Sequence, residues 1–281
     1  MAHCITHEAE AILDKEFPVL DKGFVRLVDY MGGDERIVQA ARVSYGEGTK
    51  SYREDAGLID YLLRNLHTSP FEQVMFTFHV KLPIFVARQW VRHRTARLNE
   101  VSGRYSVMKE EFYVPQARDL ALQSSDNKQG RSEQPLDAAA AEKIRVSLAE
   151  DQKAAYASYK SLVDDGLARE LARINLPVSL YTEWYWQIDL HNLFHFLKLR
   201  LDAHAQKEIR LYSEVLLEIA KKVAPRSCES FQRHVLDGER FSGEELSELR
   251  RRLGLGVSSC ENQGGLSGKA LERFEEKLKG K

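Results

Sequence analysis

Five arginines, Arg88, Arg92, Arg94, Arg97 and Arg104, fall in a stretch that holds a single carboxylate, Glu100. Guanidinium groups bind phosphates and carboxylates through paired, charge-assisted hydrogen bonds, so arginines at this density suit an anionic ligand. Asn99, Ser102, Gly103 and Tyr105 lie among them, and with Glu100 they add donors and acceptors that can surround a polar molecule. A plainer account is that cations near a helix C-terminus complement the negative end of its dipole, worth about 0.3 to 1 kcal/mol each at a surface. That covers two of the arginines and leaves Arg97 and Arg104 without a reason, so both readings stand at this level. The whole chain sets 41 Lys and Arg against 42 Asp and Glu, so the local concentration is not part of a global cationic field of the kind a general nucleic-acid binder carries.

Neighbouring patterns show which elements must position these residues. In FEQVMFTFHVKLP, Val74, Phe76, Phe78 and Val80 share one face and Met75, Thr77, His79 and Lys81 the other, the period of a half-buried strand. Pro83 suits the first turn of a helix, and IFVARQWVRHR carries that helix onward with Ile84, Phe85 and Val91 toward the core. Arg88 and Arg92, and likewise Gln89 and His93, are then four apart on neighbouring strips. Strand-like and helix-like pieces alternate from about Phe24 to Tyr113, as in GFVRLVDYM, IVQAARV and LIDYLLRNL. Residues 120–141 turn to Gln, Ser, Asp and Gly and read as a surface insertion entering a helix. Beyond it, Leu193, Phe194, Leu197 and Leu201 make one helical stripe and Ile209, Tyr212, Leu216 and Ile219 another. The expected fold is α+β: a single domain with a central, mainly antiparallel sheet and a predominantly helical second half.

A chain of 281 residues with 43% hydrophobic and 30% charged content can bury a substantial core. No apolar run approaches the roughly 20 residues a membrane helix needs, so no membrane span is expected. Only three cysteines occur, Cys4, Cys228 and Cys260, without a CxxC pair or a disulfide framework, and the first twenty residues lack a signal-peptide pattern. A cytoplasmic protein is the simplest expectation. Neither a GxGxxG nor a P-loop motif is present.

Arg92-His93-Arg94, seven intervening residues and then Ser102, within RHRTARLNEVSGRY, resembles the signature of the flavin-dependent thymidylate synthases. The likeness continues through HTSPFEQVMFTFHVKLPIFVARQW before it and ARINLPVSLYTEWYWQIDLHNLFHFLKLRLDAHAQKEIR after the insertion. It spans residues 22–235, leaving 1–21 as an N-terminal extension, 120–141 as an internal insertion and 236–281 as a charged, flexible tail with helical pieces. Arg97 departs from the pattern, since the family often has serine there, and altered local packing is expected.

The resemblance implies a homotetramer that binds FAD and deoxyuridine monophosphate (dUMP) at sites shared between subunits. Methylenetetrahydrofolate is then the carbon donor and NADPH the reductant, the products being dTMP and tetrahydrofolate. Flavin-contacting positions fall on Ser69, Arg92, His93, Arg94, Glu100, Asp189, His191 and His195, with Ser44 and His67 nearby. Nucleotide-contacting positions fall on Gln89, Arg92, Glu100, Ser102, Gly103, Arg104, Arg173 and Arg200. A dianionic phosphate favours guanidinium forks from Arg92, Arg104 and Arg173, and Gly103 lets backbone amides approach. Glu100 would repel a phosphate and belongs toward the sugar or the flavin. Arg200 is the expected catalytic residue: held against the uracil imide, it would favour the ionised base and stabilise charge in the ring carbonyls. No cysteine nucleophile is needed.

Other residues admit plainer readings. His191 and His195, four apart on a helical face, are compatible with a metal, but no third ligand matches and no metal is expected. Trp184, Tyr185 and Trp186 would point to different sides of a helix, which favours core packing for most of them. His204 and Gln206 either organise Arg200 from behind or face solvent. The rival to an enzyme is a nonenzymatic Arg-rich protein that binds RNA or a nucleotide; with the resemblance in hand, no nucleic-acid partner is expected.

Overall fold

Alternation along residues 74–81 does form a strand, the middle one of five. The computed structural model describes residues 5–43, 52–125, 130–255 and 266–279. In chain order it runs α1 (His7–Glu10), β1 (Glu16–Val19), β2 (Gly23–Met31), α2 (Asp34–Arg42), α3 (Tyr52–Arg64), β3 (Met75–Pro83), α4 (Ile84–Trp90) and β4 (Arg97–Glu100). There follow β5 (Ala121–Gln123), β6 (Arg131–Pro135), α5 (Ala138–Asp164), α6 (Arg169–Ala172), β7 (Tyr181–Asp189), α7 (Leu190–Arg200), α8 (Lys207–Val223), α9 (Pro225–Phe231), α10 (Gly243–Arg252) and α11 (Gly268–Lys279). The sheet order is β1-β2-β3-β7-β4, every pairing antiparallel, and β5 with β6 makes a separate hairpin. The α+β class, the antiparallel sheet and the helical second half are as the sequence leads one to expect.

The register explains the core. Leu27 lies opposite Phe78 and Phe78 opposite Trp186; one pleat along, Val25, Val80 and Trp184 repeat the row. All six are buried, each large apolar side chain contributing about 1.5 to 3 kcal/mol. Trp90 of α4 drops onto this face, its ring 5.7 Å from Trp184, 5.1 Å from Trp186, 4.8 Å from Phe196 of α7 and 6.0 Å from Tyr212 of α8. Three helices are thus pinned to the sheet through one indole, immediately before the Arg92-His93-Arg94 segment.

Two local expectations are corrected. The aromatic run Trp184-Tyr185-Trp186 is in strand β7, not a helix, so both tryptophans enter the core while Tyr185 stands on the opposite face and stacks on His79 at 5.0 Å. Aromatic side chains favour the pleated, half-buried surface, and period-two burial separates them cleanly. Helix α4 holds Arg88 but ends at Trp90, short of Arg92-His93-Arg94; it buries Val86, Ala87 and Trp90, whereas Val91 is exposed and Ile84 and Phe85 only half-buried. Arg92, His93 and Arg94 therefore leave the helix axis and are not spaced by its period.

The chain divides into two units at Phe231 and Gln232. Residues 232–281 form a small helical unit: Ser242 and Glu245 make a reciprocal capping box for α10, Lys277 of α11 pairs with Glu245 at 2.8 Å, and Phe241 meets Phe274 edge to face at 6.2 Å. The first unit carries the whole five-stranded sheet and every candidate site residue that is described.

Candidate active site

Arg200 ends α7, whose Leu193, Phe194, Phe196 and Leu197 are buried, so the helix delivers the guanidinium at a fixed height. Its Nε donates to His93 Nε2 at 3.0 Å and its Nη2 to the Gln89 carbonyl at 3.2 Å. Accepting that proton requires a neutral His93 with its own hydrogen on Nδ1. Burial, the Arg200 charge and His195 push the His93 pKa down to about 4, which keeps the imidazole neutral at ordinary pH. The ring also packs edgewise on Phe196 at 4.7 Å, and His195 lies 5.9 Å away. The Gln89 side chain donates to Gln206 Oε1, just ahead of α8. Gln206 thus supports the site, while His204 turns to Asp202 at 2.9 Å. Arg200 Nη1 has no partner among the described residues, so one edge of a held cation stays open.

A second group forms around residues 100–104. Strand β4 pairs with β7, and Thr182 Oγ1 of β7 donates to Glu100 Oε1 at 2.5 Å, aiming the carboxylate. The turn after β4 closes through Tyr105 and Ser106 amides on the Ser102 carbonyl, each at 3.1 Å, and the Arg104 amide on Ser102 Oγ at 3.3 Å. A Cβ at Gly103 would stand 2.9 Å from Met108 Sδ and 3.1 Å from both Cδ and Nη1 of Arg173. The Met108 backbone is fixed by α5, where Tyr159 Oη accepts its amide and Tyr156 Oη donates to its carbonyl, both at 3.0 Å. Gly103 is therefore the contact point that lets Arg173 lie against the backbone. Arg104 pairs with Glu170 at 3.0 Å, an exposed pair of small energetic weight. Arg92, Arg94, Arg97 and Arg173 form no ion pair among the described residues, and Arg92, Arg94 and Arg97 are exposed. No hydrogen bond among the described residues joins this group to the Arg200 group.

The remaining predicted positions sit near α7. Asp189 is its N-cap: Oδ1 accepts the Asn192 amide at 2.9 Å and Oδ2 the Asn192 side chain at 2.6 Å, so the carboxylate already has a structural task. Ser69 is exposed at the start of a 3-10 turn, Ser69–Gln73, that packs on α7. His191 and His195 share one face of α7 and reach solvent, and exposed His67 stacks on Tyr61 at 5.9 Å. Ser44 lies outside the described residues, as do Cys4 and Cys260. Cys228 is 1% exposed and burial drives its thiol pKa well up, so it is no thiolate nucleophile. Among the described residues no cluster of three or more His, Cys, Asp or Glu could hold a metal ion. Sequence reasoning missed Thr182 and Glu170, for no signal along the chain links a threonine to a carboxylate 82 positions away.

The donor set suits a flavin dinucleotide. Its diphosphate calls for cations not spent on internal pairs, which Arg92 and Arg94 are, and its polar ring edge calls for imidazole and carboxylate groups, which His191, His195 and Glu100 supply at accessible positions.

A family model described as Thymidylate synthase complementing protein matches residues 26–226, and one described as Thymidylate synthase ThyX C-terminal domain matches residues 239–280. A flavin-dependent thymidylate synthase of Treponema denticola is 67% identical over 267 residues, covering 95% of this chain and 98% of the relative. One from Treponema pallidum is 59% identical over 99% of this chain and 90% of its own, and one from Thermus thermophilus 55% identical over 94% and 96%. Among solved structures, the UMP/dUMP methylase PolB from Streptomyces cacaoi bound with 5-Br dUMP superposes with a TM-score of 0.71 at 34% identity, covering 78% of this chain and 98% of that one.

Proposed function

This chain belongs to the flavin-dependent thymidylate synthases, and on that footing we propose that Arg200 is its catalytic residue and that the two side-chain groups hold dUMP and the flavin. It is an enzyme, a dUMP methyltransferase, and not the nonenzymatic Arg-rich binder that the arginine segment alone would allow. The observation that carries the assignment to Arg200 is its pinned geometry: two of its nitrogens are committed to neutral His93 and the Gln89 carbonyl, and the third is open.

That open edge faces the uracil imide in this reading. A fixed cation there stabilises negative charge as it spreads from the ring nitrogen into the carbonyls, which raises the nucleophilicity of the ring carbon that takes the one-carbon unit. Arg92, Arg104 and Arg173 bind the phosphate dianion, Arg104 exchanging Glu170 for it, and the backbone around Ser102 and Gly103 approaches closely because Gly103 has no side chain. Glu100, aimed by Thr182, takes the sugar or the flavin edge, and Gln89 orients the nucleotide. Arg92, His93, Arg94, Ser69, Asp189, His191 and His195 surround the flavin, FAD. When bound, the flavin supplies the hydride that completes the methyl group. Methylenetetrahydrofolate is the carbon donor and NADPH the reductant. Cys228 being buried and protonated, the chain attacks the base with no thiolate of its own among the described residues.

The active assembly is a homotetramer with shared sites. Leu171, Ile174 and Val178, beside Arg173, are 53%, 73% and 61% exposed, an apolar patch next to a ligand-binding arginine that a second subunit would cover. Residues 22–235 form the synthase domain, with the 120–141 insertion inside it, 1–21 an extension and 236–281 a tail. The cytoplasm is the proposed compartment; no described helix is long and apolar enough to cross a membrane. Complementation of a thymidine-requiring host tests the whole reading: growth without thymidine is expected from the wild-type chain and none from Arg200→Ala, and failure of the wild type to support growth while folded and flavin-loaded refutes it.

A further inference from the structure

The hairpin of the insertion reaches across to the element that carries Gln206. Arg131, the first residue of β6, donates from Nη2 to both carboxylate oxygens of Glu208 at 2.8 Å, and from Nη1 to the Asp119 carbonyl at 2.7 Å. Lys207 pairs with the Asp119 side chain. Glu208 is 4% exposed and takes a further hydrogen bond from Tyr113 Oη at 3.2 Å, so its charge is fully compensated only while Arg131 is in place. Burial and the neighbouring Glu208 carboxylate hold the Tyr113 phenol far above its ordinary pKa, which keeps it a donor.

These contacts grip the first turn of α8. Gln206 is the residue before that turn, and its side chain makes no capping bond to the helix; it goes instead to Gln89. Gln89 in turn accepts from Arg200 on its carbonyl. Only residues 201–206 connect Arg200 to α8, and they are tied down by the Ala205 amide on the Asp202 carbonyl at 2.9 Å and by Arg210 Nη1 on the Ala203 carbonyl at 3.1 Å. A shift of the first turn of α8 is therefore passed to Gln206 and on to Gln89.

We propose that the β5–β6 hairpin is a strut for the nucleotide site and that Arg131 is a positioning residue, acting through Glu208 and Gln206 on Gln89. Arg131 touches no ligand. The proposal rests on the assignment of Gln89 to dUMP, and it adds a role for the insertion that the family resemblance does not supply.

The test is a double-mutant cycle on the full-length, flavin-loaded protein with Arg131→Met, Gln206→Ala and both together, measuring dUMP affinity by titration calorimetry, kcat/KM for dTMP formation, flavin content and Tm. Each single substitution is expected to weaken dUMP binding about tenfold with flavin retained, and the pair to be no worse than the weaker single, because both cut one line of contact. Arg131→Met combined with Glu208→Leu removes the buried carboxylate together with its half-buried partner and is expected to recover Tm while dUMP affinity stays weak. This variant also serves if Arg131→Met alone fails to fold. Multiplying effects in the cycle, unchanged dUMP affinity in Arg131→Met, or affinity that returns together with Tm in the charge-free pair would each overturn the strut. Wild-type protein that loads flavin yet does not bind dUMP would overturn the functional reading along with it.

Discussion

Replacing Arg200 by alanine removes a half-buried guanidinium that makes two hydrogen bonds, 3.0 Å to His93 and 3.2 Å to the Gln89 carbonyl, and leaves the open Nη1 edge empty. The internal bonds are the smaller part, since hydrogen bonds to charged groups contribute about 1.5 to 3 kcal/mol each and here hold the cation rather than the substrate. The larger part is the lost stabilisation of charge in the uracil ring; deletion of one preorganised donor of this kind costs about 10² to 10³ in kcat, or about 2.7 to 4 kcal/mol. Arg200→Ala should therefore retain flavin, still have its colour bleached by NADPH, and form dTMP at least a hundredfold more slowly. Arg200→Lys keeps the charge but not the fork, and should recover little of the rate. A side effect is specific to the geometry. The Arg200 charge is the second cause, after burial, of the depressed His93 pKa, so His93 in the alanine variant should titrate above about 4 yet short of its ordinary value. The assay is dTMP formation beside flavin bleaching on the same sample, with His93 followed by NMR. Synthesis within tenfold of wild type, or loss of flavin as the dominant effect, would refute the role given to Arg200.

Gly103→Ala should weaken dUMP binding about tenfold with little change in flavin content, because the new Cβ meets Met108 Sδ at 2.9 Å and the Arg173 guanidinium at 3.1 Å and pushes Arg173 off the backbone; calorimetric titration with dUMP checks it. His93 gives the acid limb of stability. Its folded pKa, about 4, lies below the ordinary 6.5, so between those values the unfolded chain binds the extra proton and stability falls as pH drops from 6.5 toward 4. Urea unfolding at pH 5 and pH 7 should show that difference narrowed in His93→Asn; an unchanged difference would mean that His93 is not held neutral. His79, lowered by burial and by Arg26, adds to the same limb and should leave a residual slope.

The legible part of this protein was the part written in short-range pattern and local chemistry. Alternating Val74, Phe76, Phe78 and Val80 announces β3, and the stripe Ile209, Tyr212, Leu216 and Ile219 is the buried face of α8, because a side-chain period of two or of 3.6 residues follows directly from backbone geometry. The spacing from Arg92-His93-Arg94 to Ser102 was legible as a family signature, while the arginine cluster by itself left an anion site and a helix-dipole complement both open. Trp184-Tyr185-Trp186 is a strand where the sequence suggests a helix, because three neighbouring aromatics have no period of their own. It is pairing with Phe78 and Val80, more than a hundred positions earlier in the chain, that makes them a strand.

What only the tertiary structure decided is which atoms meet. Nothing along the chain says that Arg200 takes its proton acceptor from His93, 107 positions away, that Thr182 aims Glu100, or that Arg131 of an insertion neutralises Glu208 in the first turn of α8. Residue type sets what each group can donate, accept or charge, and that is fixed before folding. The distance and burial that turn those capacities into a neutral imidazole or a pinned guanidinium depend on long-range packing, here on Trp90 and the sheet face beneath it, and so come into being only with the fold.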